Sequence, residues 1–125
     1  MLSNPEQYER GRALLEQIHG GHAGAAMVRA QAEICPDFAA MSIEWALGGI
    51  MARPGLDLKV RQLVVVAACT TLGHAAPQLR AHIEGALSVG ATKEEIVEAI
   101  LQTLFYAGGA AVANALGIAK SVLEG

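Results

Sequence analysis

An all-α fold follows from three features of the chain. Apolar residues recur at helical spacing, no pair of strand-like segments alternates apolar and polar residues, and helix starts and stops punctuate the sequence with little slack between them. The 125 residues suit one domain with a real core, a bundle of about six to seven helices over residues 1–125. The balance of residues bears on assembly. Hydrophobic residues make up 53% and charged residues only 17%, so part of the apolar surface is expected to meet other subunits. Aromatics are only 4%, and the small residues that replace them let helices approach closely.

Asn4-Pro5 opens the first helix. Asn4 is suited to cap, Pro5 fits the first turn, and Gln7 stands three residues after the cap. Tyr8, Leu14, Leu15 and Ile18 mark its buried side, and Gly20-Gly21 ends it. A short helix covers Ala23 to Ile34, with Met27, Val28 and Ala30 as packing residues. Pro36 starts a third helix, through about Met51, that carries Phe38, Met41, Ile43, Trp45, Leu47 and Ile50. Arg53-Pro54-Gly55-Leu56-Asp57 reads as a loop, because Pro54 disfavours helix at Arg53.

Asp57 is placed to cap a fourth helix from Leu58 to Leu72. Val64, Val65 and Val66 would also suit a strand. Helix is the better reading because apolar and small residues continue for more than three turns without alternation. A helix so apolar belongs at the centre of a bundle or in an interface. Gly73 stops it. A fifth helix runs from about Pro77 to Val89, with Gly90 in the left-handed stop position. Thr92 and Glu95 form a capping box for a sixth helix, which runs to about Ala107 and buries Ile96, Val97, Ile100, Leu101, Leu104 and Phe105. Gly108-Gly109 breaks the chain, and a last helix reaches Leu123.

Several function classes fall away. The net charge of -3, with no basic run and no interleaved aromatics, gives no reason to invoke nucleic acid. The longest apolar run, Leu63 to Cys69, is too short to span a bilayer. The polar start MLSNPEQYERGR shows no signal peptide, and Cys35 and Cys69 have neither zinc nor redox spacing, so a reduced cytoplasmic setting is expected. Dinucleotide, phosphate-loop and Gly-x-Ser-x-Gly patterns are missing.

His82 leads the residues that could carry chemistry. Leu79, Ile83, Ala86 and Leu87 share one helix face, and His82 lies on its edge. Half-burial follows. The ring either packs against a backbone carbonyl or presents one nitrogen to a ligand. Arg61, a permanent cation near the start of the apolar fourth helix, needs an anion if it points inward and merely solvates the helix start if it points outward. Arg53 in the preceding loop could add a second anion contact. Glu44, between Ile43 and Trp45, is either an internal partner for an arginine or a surface residue. His74, beside Gly73, either lines the His82 pocket or is solvated. His19 and His22 resemble a metal pair, but zinc wants at least three protein ligands, and a helix-to-helix turn is the better reading.

Taken together, nearly the whole chain resembles the carboxymuconolactone decarboxylase family. QYERGRALL, ARPGLDLKVRQL, LRAHIEGAL, GATKEEIVEAILQTLFYAGG and IAK keep that family's order and spacing from about Tyr8 to Leu123. The resemblance implies an alkylhydroperoxidase D-like helical subunit that assembles into a ring, a homo-trimer or homo-hexamer. It also implies a pocket near the histidine-bearing helix that works without a cofactor or metal on a small carboxylate or lactone substrate. The enzyme that names the family removes carbon dioxide from a carboxylated lactone in aromatic catabolism. On this resemblance His82, Arg61 and Glu44 are the catalytic candidates, and Arg53, His74 and Tyr106 the substrate-binding ones. A histidine to move a proton and an arginine to hold carboxylate suit such a reaction.

Departures from the family text cluster after the sixth helix. Decarboxylating relatives tend to read Tyr-Ala-Gly-Val-Pro-Ala-Ala-Asn, where this chain has Tyr106-Ala107-Gly108-Gly109-Ala110-Ala111-Val112-Ala113. Gln78 stands where glutamate is common and Leu47 where tryptophan is common. A sister branch, the alkylhydroperoxidase D-like disulfide reductases, needs two cysteines one helical turn apart before the histidine. Here Ala75, Ala76, Gln78, Leu79, Arg80 and Ala81 occupy that stretch, which argues against thiol chemistry.

Overall fold

The computed structural model describes residues 3–124, and every regular element among them is helical. In chain order these are α1 (Pro5–His19), α2 (Ala23–Ile34), α3 (Pro36–Met41), a π-helical stretch π1 (Ser42–Met51), α4 (Leu58–Leu72), α5 (Ala76–Ser88), α6 (Lys93–Gln102), α7 (Leu104–Ala107) and α8 (Gly109–Leu123). None of these helices is long and apolar enough to cross a membrane. Contacts divide the chain into two compact units, one ending at Leu58 and one beginning at Lys59.

The first unit is organised by the crossing of α1 and π1. Asn4 caps α1 as the sequence predicts, accepting from the Gln7 N–H at 3.0 Å. The crossing is too close for side chains. A Cβ on Gly11 would lie 1.9 Å from the Ile43 carbonyl oxygen, and one on Gly48 would lie 2.0 Å from the Gln7 carbonyl oxygen. Only glycine fits at either point. Side chains of α1 then bond the backbone of π1: Gln7 Nε2 donates to the Glu44 carbonyl at 2.8 Å and Arg10 Nε to the Gly48 carbonyl at 3.3 Å.

Two expectations need correction here. The third helix does not run uniformly from Pro36 to Met51. It widens to π geometry at Ser42, where its backbone carbonyls also serve the α1 side chains. Its large apolar residues are not its buried face either: Phe38, Met41, Trp45 and Ile50 are exposed, while Ala39, Ile43, Glu44 and Gly48 are buried. Ala30 of α2 is likewise exposed.

The second unit has an aliphatic core. Val66 and Cys69 of α4, Leu79, Ile83 and Ala86 of α5, Ile96 and Ile100 of α6, and Val112, Ala115 and Ala119 of α8 form one buried cluster. Fully burying one such isoleucine contributes about 1.5–3 kcal/mol. Gly90 takes φ +101° at the end of α5, the left-handed stop read from the sequence. The Thr92–Glu95 capping box is also formed. Thr92 Oγ1 accepts from the Glu95 N–H at 3.1 Å, and Glu95 Oε1 accepts from the Thr92 N–H at 2.9 Å. Glu95 Oε2 also takes Lys59 Nζ at 3.0 Å. α6 ends at Gln102, earlier than expected. Thr103 turns its hydroxyl back onto the Ile100 carbonyl at 2.7 Å, and the short α7 follows. Leu101, at the end of α6, and Leu104 and Phe105 on α7, all expected to be buried, are exposed.

Candidate active site

α4 builds the site from its inward stripe. Gln62, Val66, Cys69 and Thr70, spaced as successive positions on one helix face, are its buried residues. The stripe runs from polar to apolar and back. At one end Gln62 is fully buried and its Oε1 lies 2.9 Å from Nδ1 of His82 on α5. An amide oxygen only accepts, so this contact is a hydrogen bond when His82 carries a proton on Nδ1. At the other end the Thr70 hydroxyl bonds the Val66 carbonyl at 2.9 Å. There Cys69 and Thr70 open onto a cavity of about 530 Å³, also lined by Leu79, Asn114, Ile118 and Ser121.

His82 is half-buried on the edge of the α5 face, as its spacing predicts. At Nδ1 its partner is a side-chain amide, and the sequence reading passed over Gln62. A signal for it existed. Gln62 stands one turn before Val66 on a helix whose inward positions are otherwise apolar or small, so its amide must meet a polar partner. Arg61, the next residue back on α4, is half-buried.

The other candidates fall elsewhere. His74 lies exposed between α4 and α5, and Tyr106, on α7, is 96% exposed. Neither lines the cavity, and neither do His82 and Arg61. Arg53 and Glu44 belong to the first unit. Glu44 is buried, and its carboxylate accepts from the backbone N–H of Ser3 at 3.1 Å and from the Ser3 hydroxyl. It faces a second, largely apolar cavity of about 510 Å³ walled by Phe38, Met41, Ser42 and Trp45. Serine, rather than the arginine weighed from the sequence, is its partner in these bonds.

Among the described residues no three His, Cys, Asp or Glu side chains are grouped to hold a metal ion. His19 is buried at the end of α1, whereas His22, at the start of α2, is exposed. Both cysteines are free thiols. Cys35 is exposed, and burial pushes the Cys69 thiol up, away from the thiolate a redox or nucleophilic role requires.

Comparison with known proteins gives a consistent picture. Residues 36–121 match the Carboxymuconolactone decarboxylase family, a span that contains Glu44, Arg53, Arg61, Gln62, His74, His82 and Tyr106. An uncharacterized 15.0 kDa protein in the nqo9–nqo10 intergenic region of Paracoccus denitrificans is 42% identical over 96 residues, 76% of this chain and 72% of that protein. The 4-carboxymuconolactone decarboxylase of Acinetobacter baylyi is 28% identical over 123 residues, 98% of this chain and 91% of that enzyme. The nitrosuccinic acid decarboxylase npaB of Metarhizium robertsii is 35% identical over 82 residues, 65% of this chain and 56% of that enzyme.

Proposed function

The chain belongs to the carboxymuconolactone decarboxylase family, and from that premise we propose that it is a cofactor-independent decarboxylase of a small carboxylic acid or carboxylated lactone. The observation that carries this reading is the pair of named decarboxylases among its relatives, one of them aligned over 98% of the chain. Their names specify two different acids. A nitro group and an unsaturated lactone are both electron acceptors. The substrate class proposed is therefore an acid in which the carbon losing carbon dioxide adjoins such an acceptor.

The chemistry then asks little of the protein. Breaking the carbon–carboxylate bond releases carbon dioxide and leaves the bonding electron pair on carbon, delocalised into the acceptor. Arg61 holds a carboxylate of the substrate through paired N–H contacts. Protonated His82 delivers its Nε2 proton to the carbanion and becomes neutral. It then takes a proton from solvent, so the sum is one carboxylate and one proton in, one carbon dioxide and one C–H product out. Imidazole suits both halves because it titrates near neutrality. Glu44, Arg53, His74 and Tyr106 are given no step. The exposed apolar side chains of both units, such as Trp45 and Phe105, support the further reading that the subunit works as a homo-oligomer.

The test is to supply 4-carboxymuconolactone and nitrosuccinate separately and follow carbon dioxide release. Turnover of at least one is expected. His82→Asn should lower kcat by about 10²- to 10⁴-fold, and Arg61→Lys should act mainly on KM. Release no faster than the uncatalysed rate with both acids would sink the decarboxylase reading and favour a ligand-binding member of the family.

A further inference from the structure

We propose that Gln62 is a positioning residue that locks the neutral His82 ring with its proton on Nδ1 and its lone pair on Nε2. The inference rests on the reading of His82 as the proton carrier. Three observations carry it. Gln62 is fully buried, so its amide has no bulk water to bond. Its Oε1, an acceptor with no hydrogen to give, lies 2.9 Å from Nδ1. It also sits on the buried stripe of α4 with Val66, Cys69 and Thr70, of which Val66 and Cys69 belong to the core cluster.

A ring whose two nitrogens compete for one proton is a poor shuttle, because part of its neutral population presents the wrong nitrogen. A fixed acceptor at Nδ1 removes that competition. It also fixes the ring plane through a second point besides the Cα–Cβ bond. When His82 gives up its Nε2 proton, the Nδ1–H bond to Gln62 persists, so the ring need not turn between donating and recovering a proton. Because the partner is a neutral amide, the lock adds no negative charge beside the imidazole. A carboxylate there would favour the charged ring and hold back the proton it must deliver.

The experiment reads the tautomer directly and needs no substrate. Long-range nitrogen–proton NMR spectra of the whole chain, with His82→Asn to assign the resonance, are expected to show neutral His82 protonated at Nδ1. Gln62→Leu, which keeps the volume but removes the acceptor, should move the ring toward the Nε2–H form that an unconstrained histidine side chain favours. Gln62→Glu, which keeps an oxygen at the same reach, should restore the Nδ1–H form. On whichever acid is turned over, Gln62→Leu should lower kcat roughly 10²-fold while KM stays within a factor of about two, a split that a merely structural residue would not produce. A wild-type ring protonated at Nε2, or an unchanged tautomer in Gln62→Leu, overturns the proposal. If the leucine variant does not fold, the wild-type and glutamate spectra still decide. The expected tautomers in a protein that turns over neither acid would leave the lock standing and count against the decarboxylase reading alone.

Discussion

Each of the two units of this chain is packed internally by a different means. Beyond Lys59 the core is aliphatic: Ile83, Ile96 and Ile100 are fully buried among valine, leucine and alanine. Before Leu58 the main crossing is made by missing side chains, with Gly11 and Gly48 bringing backbone against backbone while Phe38, Trp45 and Ile34 stand exposed. A packed aliphatic core fails by leaving a cavity. A glycine crossing fails by collision. The same size of substitution, made in opposite directions, should therefore damage the two units, and each effect should register in its own unit.

The largest effect is expected from Ile96→Ala. It removes a fully buried side chain from the second unit and should cost about 2–5 kcal/mol. Denaturant unfolding gives the magnitude, and amide exchange should show the loss concentrated beyond Lys59. Equal loss of protection on both sides of that boundary would break the comparison.

Gly11→Ala comes next. The added methyl meets the Ile43 carbonyl at 1.9 Å, a backbone atom that cannot rotate away. Forcing α1 and π1 apart should cost about 1–3 kcal/mol, with exchange quickening in α1 and π1. An alanine here that is neutral would mean that the crossing is looser than its geometry.

Thr92→Ala sharpens the second-unit side. It removes the side-chain acceptor for the Glu95 N–H and should cost about 1 kcal/mol, read as a lowered Tm and faster exchange in the first turn of α6.

The smallest effect is a pH dependence. The Glu95 carboxyl is held below its ordinary range first by the Thr92 backbone N–H and then by Lys59. A depressed carboxyl contributes stability that is present above its unfolded value and is lost as pH falls through its folded value. Titrating from neutral to acid, wild type should lose a small increment of stability that Glu95→Gln does not lose. Parallel curves for the two proteins would show that the carboxylate charge contributes nothing at this cap.

Much of the second unit was legible in advance for local reasons. The Thr92–Glu95 box and the Gly90 stop are short-range chemistry, complete within a few residues. Helical period also placed His82 on a face edge, and α4 was read as a helix despite its three valines. What escaped lies between elements. The bond from Gln62 to His82 spans twenty positions and that from Ser3 to Glu44 spans forty-one. Nothing local in either pair announces the other.

By itself, then, the sequence determined the helical class, the caps at Asn4 and Thr92, the Gly90 stop and the family pattern, because each depends on backbone preferences and spacing within one or two turns. Tertiary structure alone decided which side chain meets which. It turned Ser42–Met51 into a π-helix against α1, gave Glu44 a serine partner and gave His82 an amide. It also ended α6 at Gln102 and left Leu104, Phe105 and Tyr106 exposed on the short α7. The physical reason is that periodicity shows which face of a helix is apolar, whereas a polar group crossing into that face takes whatever partner the neighbouring helix brings within about 3 Å.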